Sequence, residues 1–336
     1  MTKKIMIART DKIGDLILSI SSFYMLRKMY PKATIGILVR EYNYGIVKNL
    51  PYIDVILKKD DYSEKELIEK IRDFKPDIFV ALFSNSFIAK LARKSKASIK
   101  IGPYSKISSF FSYNKGVIQK RSNSLKNEAE YNLDLVKHID PENFSKNYEI
   151  NTKLYYKEKN TEFVKDFFKK NNIEKYIVIH PFCGGSAKNL KTDEYIDIFN
   201  SLKNIKKLHI VISAGPAEIE MAKDMIDKTD MDRISLFDSN DEILNLVALI
   251  NHANCFMGPS TGPMHIASAL KKKMVAIFGI KATQSPTRWG AFNNSNVKYI
   301  CPEGSVEEDY AIPHFESYDE KDKENIIKYI KTFIDE

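Results

Sequence analysis

The stretch CFMGPSTGPMHIA (255–267) predicts a buried strand, Cys255–Gly258, that turns directly into a helix beginning at Gly262. A glycine at such a turn lets the backbone approach a ligand closely, and the free amides of a helix N-terminus bind phosphate oxygens. Ser260 and Thr261 add two hydroxyl groups. The same residues are also compatible with a tight strand–helix turn that binds nothing, and both interpretations stay open here.

A second loop of this kind follows the predicted strand in YIVIHPFCGGSAK (176–188). Gly184, Gly185 and Ser186 precede Lys188, a combination that could hold a diphosphate. It is not a P-loop, because GxxxxGK[ST] is absent. An ordinary surface loop is the alternative interpretation.

The third junction lies near the start of the chain, in KIMIARTDKIGD (4–15). The strand Lys4–Ala8 is not followed by GxGxxG, so nothing supports a nicotinamide cofactor. Asp15 is compatible with an ordinary first-turn helix acid. It could also be a general base, if a ligand cleft desolvates the carboxyl group and raises its pKa.

Strand and helix patterns alternate along most of the chain, which is the order that builds parallel sheets. The predicted fold class is α/β, with two doubly wound, Rossmann-like domains that face one another across a cleft. We place the domains at residues 1–150 and 151–317, followed by a C-terminal helix at 318–336. Ligands of such sheets bind beyond the carboxyl ends of the strands.

The sequence also predicts the bounds of one helix, the position of the linker and two helix caps. A single helix is predicted over Asp15–Met29, and the linker between the domains over Asp140–Lys153. Thr192 is predicted to cap the helix that follows it. Ser63 and Glu66 have the spacing of a capping box, in which each side chain bonds the other residue's backbone N–H.

Composition excludes several classes of protein. The chain has 336 residues, of which 43% are apolar and 29% charged, enough for two packed cores. Three cysteines without CxxC spacing argue against a disulfide framework or a zinc site and favour a reducing compartment. We find no signal-peptide pattern and no apolar run of 18 residues, so a cytoplasmic location is expected.

Positive charge is concentrated between residues 78 and 127, where there is no acidic residue. A block of this kind favours an anionic partner such as nucleic acid, an acidic glycolipid or a membrane surface. A solvated face of a lysine-rich protein is the alternative. The basic residues of the block are Lys90, Arg93, Lys94, Lys96, Lys100, Lys106, Lys115, Lys120, Arg121 and Lys126.

Four motifs in order resemble glycosyltransferase family 9, the heptosyltransferase family. GPSTGPMHIASALKKKMVAIFG (258–279) is similar to the family's C-terminal segment, and RTDKIGDLIL (9–18) to its opening. Lys188, eight residues after His180, and GPAE (215–218) resemble the segments between them. The resemblance covers nearly the whole chain.

The resemblance implies a GT-B fold and an inverting glycosyl transfer that needs no metal and no cofactor. The first domain would bind the acceptor, with Asp15 as the catalytic base. The second would bind the nucleotide sugar, with Lys188 on the leaving diphosphate and Glu218 on the ribose. The full set implied for donor binding is Gly184, Gly185, Ser186, Lys188, Glu218, Ser260, Thr261, Gly262, Pro263 and His265.

The implied reaction moves a heptose or a related sugar from an ADP-sugar to an anionic, lipid-linked acceptor of the lipopolysaccharide-core type. Arg93, Lys94, Lys120 and Arg121 are the expected acceptor-binding residues. The basic block would also hold the protein peripherally on the cytosolic face of the inner membrane. The departures Phe182, Leu190, Ser260 and Lys273 leave the donor sugar open, and the oligomeric state is open as well.

Other function classes remain in view at this point. A relative could transfer another nucleotide sugar in O-chain or capsule assembly, and a non-catalytic protein could keep only the nucleotide-sugar site. Nucleic-acid binding is suggested by charge, with Phe110, Phe111 and Tyr113 available for base stacking. We find no RNP, KH or helix-turn-helix signature, so no nucleic-acid partner is predicted. The DxD sequence at Asp230–Asp232 is predicted to be a solvated turn.

Overall fold

The computed structural model describes residues 2–104, 107–185, 187–279, 281–302, 315 and 318–335, except for the side chains of residues 107 and 108. The chain divides into two compact units, Met1–Tyr155 and Tyr156–Glu336. Among the described helices, none is both long and apolar enough to span a bilayer.

The first unit contains a five-stranded parallel sheet built from short apolar runs. Its strands are β1 (Lys4–Ala8), β2 (Thr34–Val39), β3 (Val55–Lys58), β4 (Ile78–Ala81) and β5 (Ile99–Ile101). They lie in the order β3-β2-β1-β4-β5. The central strands are buried along almost their whole length, as expected for a parallel sheet covered on both faces. The strand order reverses between β1 and β4, which defines the switch point of this sheet.

Eight helices of the described first unit connect and cover these strands. They are α1 (Ile13–Ile17), α2 (Ile20–Met29), α3 (Glu41–Val47), α4 (Glu64–Phe74), α5 (Ser86–Lys94), α6 (Ile107–Phe110), α7 (Glu128–Lys137) and α8 (Pro141–Asn147). The predicted capping box of α4 is confirmed. The backbone N–H of Ser63 donates to the carboxylate of Glu66 at 2.9 Å, and the N–H of Glu66 donates to the Ser63 hydroxyl at 3.4 Å.

The single helix predicted over Asp15–Met29 is wrong, because the structure breaks it between α1 and α2. The side-chain amide of Asn132 donates to the Leu18 carbonyl at 3.4 Å and to the Ser19 hydroxyl at 3.2 Å. Side-chain hydrogen bonds of this kind compete with the helical ladder. The helix is therefore interrupted by a residue 113 positions away in sequence.

The linker predicted over Asp140–Lys153 is also wrong, since this stretch contains α8. The Asp140 carboxylate accepts the N–H of Asn143 at 3.0 Å, Pro141 occupies the first turn, and Phe144 is buried. An acidic N-cap followed by proline is a helix-start signal that outweighs the weak apolar periodicity. The described first unit thus extends through α8 to Tyr155.

The second unit contains a six-stranded parallel sheet. Its strands are β6 (Lys175–Ile179), β7 (Leu208–Ser213), β8 (Ile234–Phe237), β9 (Cys255–Pro259), β10 (Met274–Ile277) and β11 (Val297–Ile300). They lie in the order β11-β10-β9-β6-β7-β8, so the switch point is between β6 and β9. The edge strand β11 is only partly buried, and the sequence analysis did not predict it.

Seven helices lie in the described second unit. They are α9 (Glu158–Asn171), α10 (Thr192–Leu202), α11 (Ile219–Asp227), α12 (Ile243–His252), α13 (Gly262–Ala269), α14 (Pro286–Trp289) and α15 (Glu320–Asp335). The prediction that Thr192 caps this helix is wrong, because Thr192 is the first residue of α10. Lys191 is the capping residue, and its N–H donates to the Glu194 carboxylate at 2.6 Å. The terminal helix α15 packs on this unit, with Ile326 and Ile330 fully buried.

Candidate functional site

A buried arginine occupies the switch point of the first sheet. Arg9 follows β1 directly, and only 1% of its surface is exposed. Its Nη1 donates to the carbonyl oxygen of Leu82, the residue after β4, at 3.0 Å. The guanidinium therefore lies between the carboxyl ends of the two central strands, where ligands of such sheets bind.

Three carboxylates surround this guanidinium. Asp11 Oδ1 lies 2.8 Å from Nε, Asp15 Oδ1 lies 2.7 Å from Nη2, and Glu128 Oε1 lies 3.4 Å from Nη2. Glu128 also forms an ion pair with Arg121. We call these five residues the Arg9 cluster. With all groups ionised, two guanidiniums face three carboxylates, which leaves one negative charge in excess.

The excess negative charge contributes to a raised pKa at Asp11. Burial raises the pKa of Asp11 to about 7, against the opposing effect of Arg9, and the nearby Asp15 raises it further. Asp11 therefore changes its charge near neutral pH. Asp15 lies in the first turn of α1, where the helix N-terminus favours a negative charge. The arrangement offers a partly exposed carboxylate, held by a buried cation, at the ligand edge of the sheet.

The residues predicted to bind the acceptor do not all lie in the same environment. Arg93 and Lys94 are exposed at the end of α5, and Lys120 is exposed in the segment before α7. Arg121 is half-buried because its guanidinium contacts Glu128 and donates to Gln119 at 2.8 Å.

No sequence pattern predicts a role for Arg9 or Glu128. The position of Arg9 is itself a signal in the sequence. A charged residue directly after the apolar strand β1 must be either exposed to solvent or paired with other buried groups. The partner itself could not be read from the sequence, because Glu128 lies 119 positions from Arg9.

In the second unit, the loop after β6 passes closely over β9. The N–H of His180 donates to the Met257 carbonyl at 2.9 Å. A Cβ atom on Gly258 would lie only 2.7 Å from the carbonyl oxygen of His180. Only glycine permits this approach, so the ends of β6 and β9, after which the loop and α13 follow, lie side by side at the switch point.

The helix α13 begins at this place with the residues singled out in the sequence. Thr261 is its capping residue in an extended conformation, and Gly262 and Pro263 form its first turn. The Thr261 hydroxyl and N–H both donate to the Pro259 carbonyl, at 3.3 and 2.8 Å. Ser260 is half-buried beside them. The first-turn amides of an eight-residue helix therefore lie at the ligand edge of the sheet.

Lys188 lies in the loop after β6, next to the end of β10. A Cβ atom on Gly279 would lie 3.9 Å from the Cβ of Lys188, and the Lys188 Nζ is buried. Asn189 fixes this part of the loop, because its amide donates to the Pro181 carbonyl at 2.7 Å. Gly184 and Gly185 are exposed in the same loop, and the predicted residue Ser186 lies outside the described residues.

Glu218 lies at the carboxyl end of the neighbouring strand β7. Its Oε2 accepts the N–H of Gly215 at 2.7 Å. His180 is buried beside the same strand end, with Nδ1 2.9 Å from the Ser213 carbonyl oxygen. Burial lowers the pKa of His180, so its imidazole is neutral at physiological pH.

His265 belongs to the interior of α13. Burial lowers the pKa of its imidazole to about 4, so it carries no charge at neutral pH. Within the part of the chain that the structure describes, its Nδ1 has no hydrogen-bond partner. The positive field at this site therefore comes from Lys188 and from the N-terminus of α13, and not from a histidine.

The contact at Gly258 leads to a first prediction. Gly258→Ala is expected to lower the free energy of unfolding by about 1–3 kcal/mol, because the added methyl group collides with backbone. The matched change Gly184→Ala should have an effect within about 0.5 kcal/mol, since a Cβ there meets nothing within 4 Å. Thermal melting of the two variants measures the difference. Equal melting temperatures would show that the loop after β6 yields easily.

Comparison with known proteins agrees with this geometry. The family model "Glycosyltransferase family 9 (heptosyltransferase)" matches residues 66–310. A candidate glycosyltransferase of Haemophilus influenzae is 30% identical over 316 residues, covering 91% of both chains. Lipopolysaccharide heptosyltransferase 3 of Escherichia coli is 24% identical over 299 residues, covering 85% of both chains.

A solved structure extends the comparison to the fold. ADP-heptose lipopolysaccharide heptosyltransferase II of Escherichia coli superposes with a TM-score of 0.82 at 15% identity. The match covers 99% of this chain and 98% of that one. It confirms the predicted GT-B fold class. With a family model that spans most of the sequence and a relative at 30% identity, the chain belongs to glycosyltransferase family 9.

Proposed function

We propose that this glycosyltransferase moves a heptose or a related sugar from an ADP-sugar to an acceptor of the lipopolysaccharide-core type. The observation that carries the proposal is that Lys188 lies next to the end of β10, while the N-terminus of α13 follows the neighbouring strand β9 at the same edge of the second sheet. A leaving nucleoside diphosphate needs a positive field of this kind. The family assignment and the names of two relatives, a lipopolysaccharide heptosyltransferase and an ADP-heptose transferase, support this choice of donor and acceptor.

The donor would be bound entirely by groups of the second unit. Lys188 and the amides at the start of α13 would contact the diphosphate, and Glu218 would accept hydrogen bonds from the ribose hydroxyls. The first-turn position of Gly262 and Pro263 and the neutral state of His265 are compatible with these roles. The remaining residues of the proposed donor site are Gly184, Gly185, Ser186, Ser260 and Thr261.

Catalysis would begin at Asp15 in the first unit. Its carboxylate would take the proton of the acceptor hydroxyl while the acceptor oxygen forms a bond to the anomeric carbon. The bond from that carbon to the diphosphate oxygen breaks in the same step, which inverts the configuration, and the electron pair leaves with ADP. Arg9 would orient the carboxylate through the 2.7 Å contact of Nη2 with Oδ1.

The acceptor would be recognised by cationic side chains of the first unit. Arg93, Lys94 and Lys120 are exposed and can meet its phosphates and carboxylates. Arg121 would contribute indirectly, because its guanidinium already contacts Glu128. We propose a cytoplasmic location with peripheral membrane contact, since an acceptor linked to lipid is presented at a membrane surface.

No metal is needed in the proposed mechanism. The only DxD sequence lies between α11 and β8, at the amino end of that strand, and Asp230 there is exposed. Ligands of a parallel sheet bind at the opposite edge. Lys188 and the helix N-terminus would supply the charge that a metal ion supplies in other transferases.

Nucleotide-induced stabilisation tests the proposed donor. ADP at 100 times its dissociation constant should stabilise the native protein by about 2.7 kcal/mol, which raises the melting temperature by roughly 5–10 °C. The increase should be the same with EDTA and with Mg²⁺. GDP, UDP and CDP should have much smaller effects. The variant Lys188→Ala should lose the ADP effect, whereas Lys191→Ala, three residues away and exposed, should keep it.

Other results would change the assignment in different ways. A shift with another nucleoside diphosphate would replace ADP-heptose by a different donor within the same family. A shift that requires Mg²⁺ would contradict the metal-free mechanism. The absence of any shift would favour a protein without donor-binding activity.

A further inference from the structure

Large apolar side chains are exposed in one short stretch of the first unit. Phe110, Phe111, Ile118 and Leu125 are exposed to 60, 77, 67 and 77%. Three further large hydrophobic residues of the described chain are exposed, but less so, at 46 to 53%, and they are far apart in sequence: Tyr42, Tyr148 and Met221. Isolated exposed hydrophobic residues are normal, but a group of them indicates an interaction surface.

Two of these side chains, those of Phe110 and Ile118, belong to residues that lie next to Tyr104. The ring of Phe110 stacks on that of Tyr104, with centroids 4.3 Å apart and planes 8° from parallel. The Tyr104 hydroxyl donates to the carbonyl of the buried Tyr113 at 2.9 Å. A β-bridge pairs Pro103 with Val117, which places Ile118 next to Tyr104. We call Tyr104, Phe110, Phe111 and Ile118 the hydrophobic step.

The step is anchored to the body of the first unit. The Tyr113 hydroxyl lies 2.6 Å from the Ser84 hydroxyl, which follows β4. A Cβ atom on Gly102 would lie 2.6 Å from the Tyr113 ring, so the glycine permits close packing of the ring on the chain after β5. Tyr104, on which Phe110 stacks, is therefore connected through Tyr113 to the sheet of the first unit.

Basic residues lie close to the step in sequence. The acid-free block at residues 78–127 contains it, and Lys115 and Lys120 are exposed on either side of Ile118. The helix α6, which carries Phe110, also packs against α5, on which Arg93 and Lys94 are exposed. A surface with apolar side chains at its centre and cations around it complements an anionic bilayer, whose headgroups are negative and whose interior is apolar.

We propose that the hydrophobic step inserts into the interfacial layer of an anionic membrane while the surrounding lysines and arginines contact the headgroups. Ile118, and Leu125 seven positions later in the chain, are aliphatic, which suits lipid and does not suit stacking on nucleic-acid bases. The inference goes beyond the transfer reaction, because it needs neither the donor nor the sugar acceptor. It adds an apolar component to an attraction that charge alone would supply.

Vesicle binding measures this apolar component. The double variant Phe110→Ser/Phe111→Ser of the full chain should bind vesicles of phosphatidylglycerol and phosphatidylcholine at least about tenfold more weakly than the unaltered protein in 0.15 M salt. Met221→Ser, at an exposed position of α11 in the second unit, is the matched control and should bind normally. Both variants should keep the ADP-induced increase in melting temperature, which separates this test from the proposed function.

Fluorescence gives a direct readout of insertion. The chain has one native tryptophan, Trp289, so Phe111→Trp adds a single reporter at the step. Its emission should shift to shorter wavelength with anionic vesicles and not with phosphatidylcholine alone. Unchanged emission, or equal vesicle binding by the double variant, would overturn the proposal. Displacement of the protein from vesicles by single-stranded RNA, with the emission shift seen on RNA instead, would assign the step to nucleic acid and would also overturn it.

Discussion

Replacement of Arg9 by methionine is expected to lower the free energy of unfolding of the first unit by about 3–5 kcal/mol. Removal of one partner from a buried ionic network leaves the others without compensation. Here the loss removes the cation that Asp11 and Asp15 contact and leaves Glu128 with Arg121. Chemical denaturation followed by far-UV circular dichroism measures the loss. The effect should exceed that of any surface substitution in this unit.

The loss should grow with pH. Burial raises the pKa of Asp11 to about 7, above its value in the unfolded chain. A group of this kind favours folding at low pH, and its contribution is lost as the pH rises through the folded pKa. Without Arg9 the carboxylates lose the cation that favours their charged forms. The variant should therefore be closer to the unaltered protein at pH 5 than at pH 8.

Two further variants serve as a control and as a milder change in the Arg9 cluster. Arg93→Met, the same change at an exposed site on α5, should alter stability by no more than about 0.5 kcal/mol. Glu128→Gln keeps the shape of the side chain and should cost about 1–3 kcal/mol, which remains measurable if the Arg9 variant does not fold. A loss below about 1 kcal/mol for Arg9→Met would show that the cluster does not stabilise the unit.

Much of the fold could be predicted because buried parallel strands are short apolar runs. The bounds predicted for β1, β2, β7 and β8 agree with the structure to the residue. The edge strand β11 escaped prediction because the exposed Lys298 interrupts its apolar run, whereas the other edge strand, β8, has no charged residue. The interruption between α1 and α2 escaped it for another reason, since the cause is the side chain of Asn132 in α7.

Part of the candidate site could likewise be predicted from local sequence patterns, and part depends on residues that are distant in sequence. The start of α13 and the loop containing Lys188 could be found in the sequence, because a glycine-rich turn between strand and helix is a local pattern. The Arg9 cluster as a whole could not be found, because Arg9, Asp11 and Asp15 are close in sequence but Glu128 lies 119 positions from Arg9. Arg121 was assigned to acceptor binding as one of a run of basic residues, whereas its guanidinium contacts Glu128, just beyond the acid-free block.

Asp15→Asn is expected to reduce kcat by about 10²- to 10⁴-fold, the usual contribution of a positioned general base. Asparagine keeps the shape of the side chain but cannot take the acceptor's proton. Turnover is measured as ADP release from ADP-heptose in the presence of a truncated lipopolysaccharide acceptor. Asp193→Asn changes another first-turn acid, exposed on α10, and should leave turnover unchanged. The ADP-induced increase in melting temperature should survive both changes.

A comparison of Asp11→Asn with Asp15→Asn tests which of the two carboxylates is the catalytic base. An ion pair with arginine weakens a carboxylate as a base, but Asp11 and Glu128 share the charge of Arg9. Ionisation of Asp11 near pH 7 adds a negative charge to the Arg9 cluster, which attracts the acceptor's proton, so kcat should rise through neutral pH. Asp11→Asn should remove this rise and retain much of the activity at lower pH. If instead Asp11→Asn abolished turnover and Asp15→Asn did not, the proton would go to Asp11, and the assignment of Asp15 would be wrong.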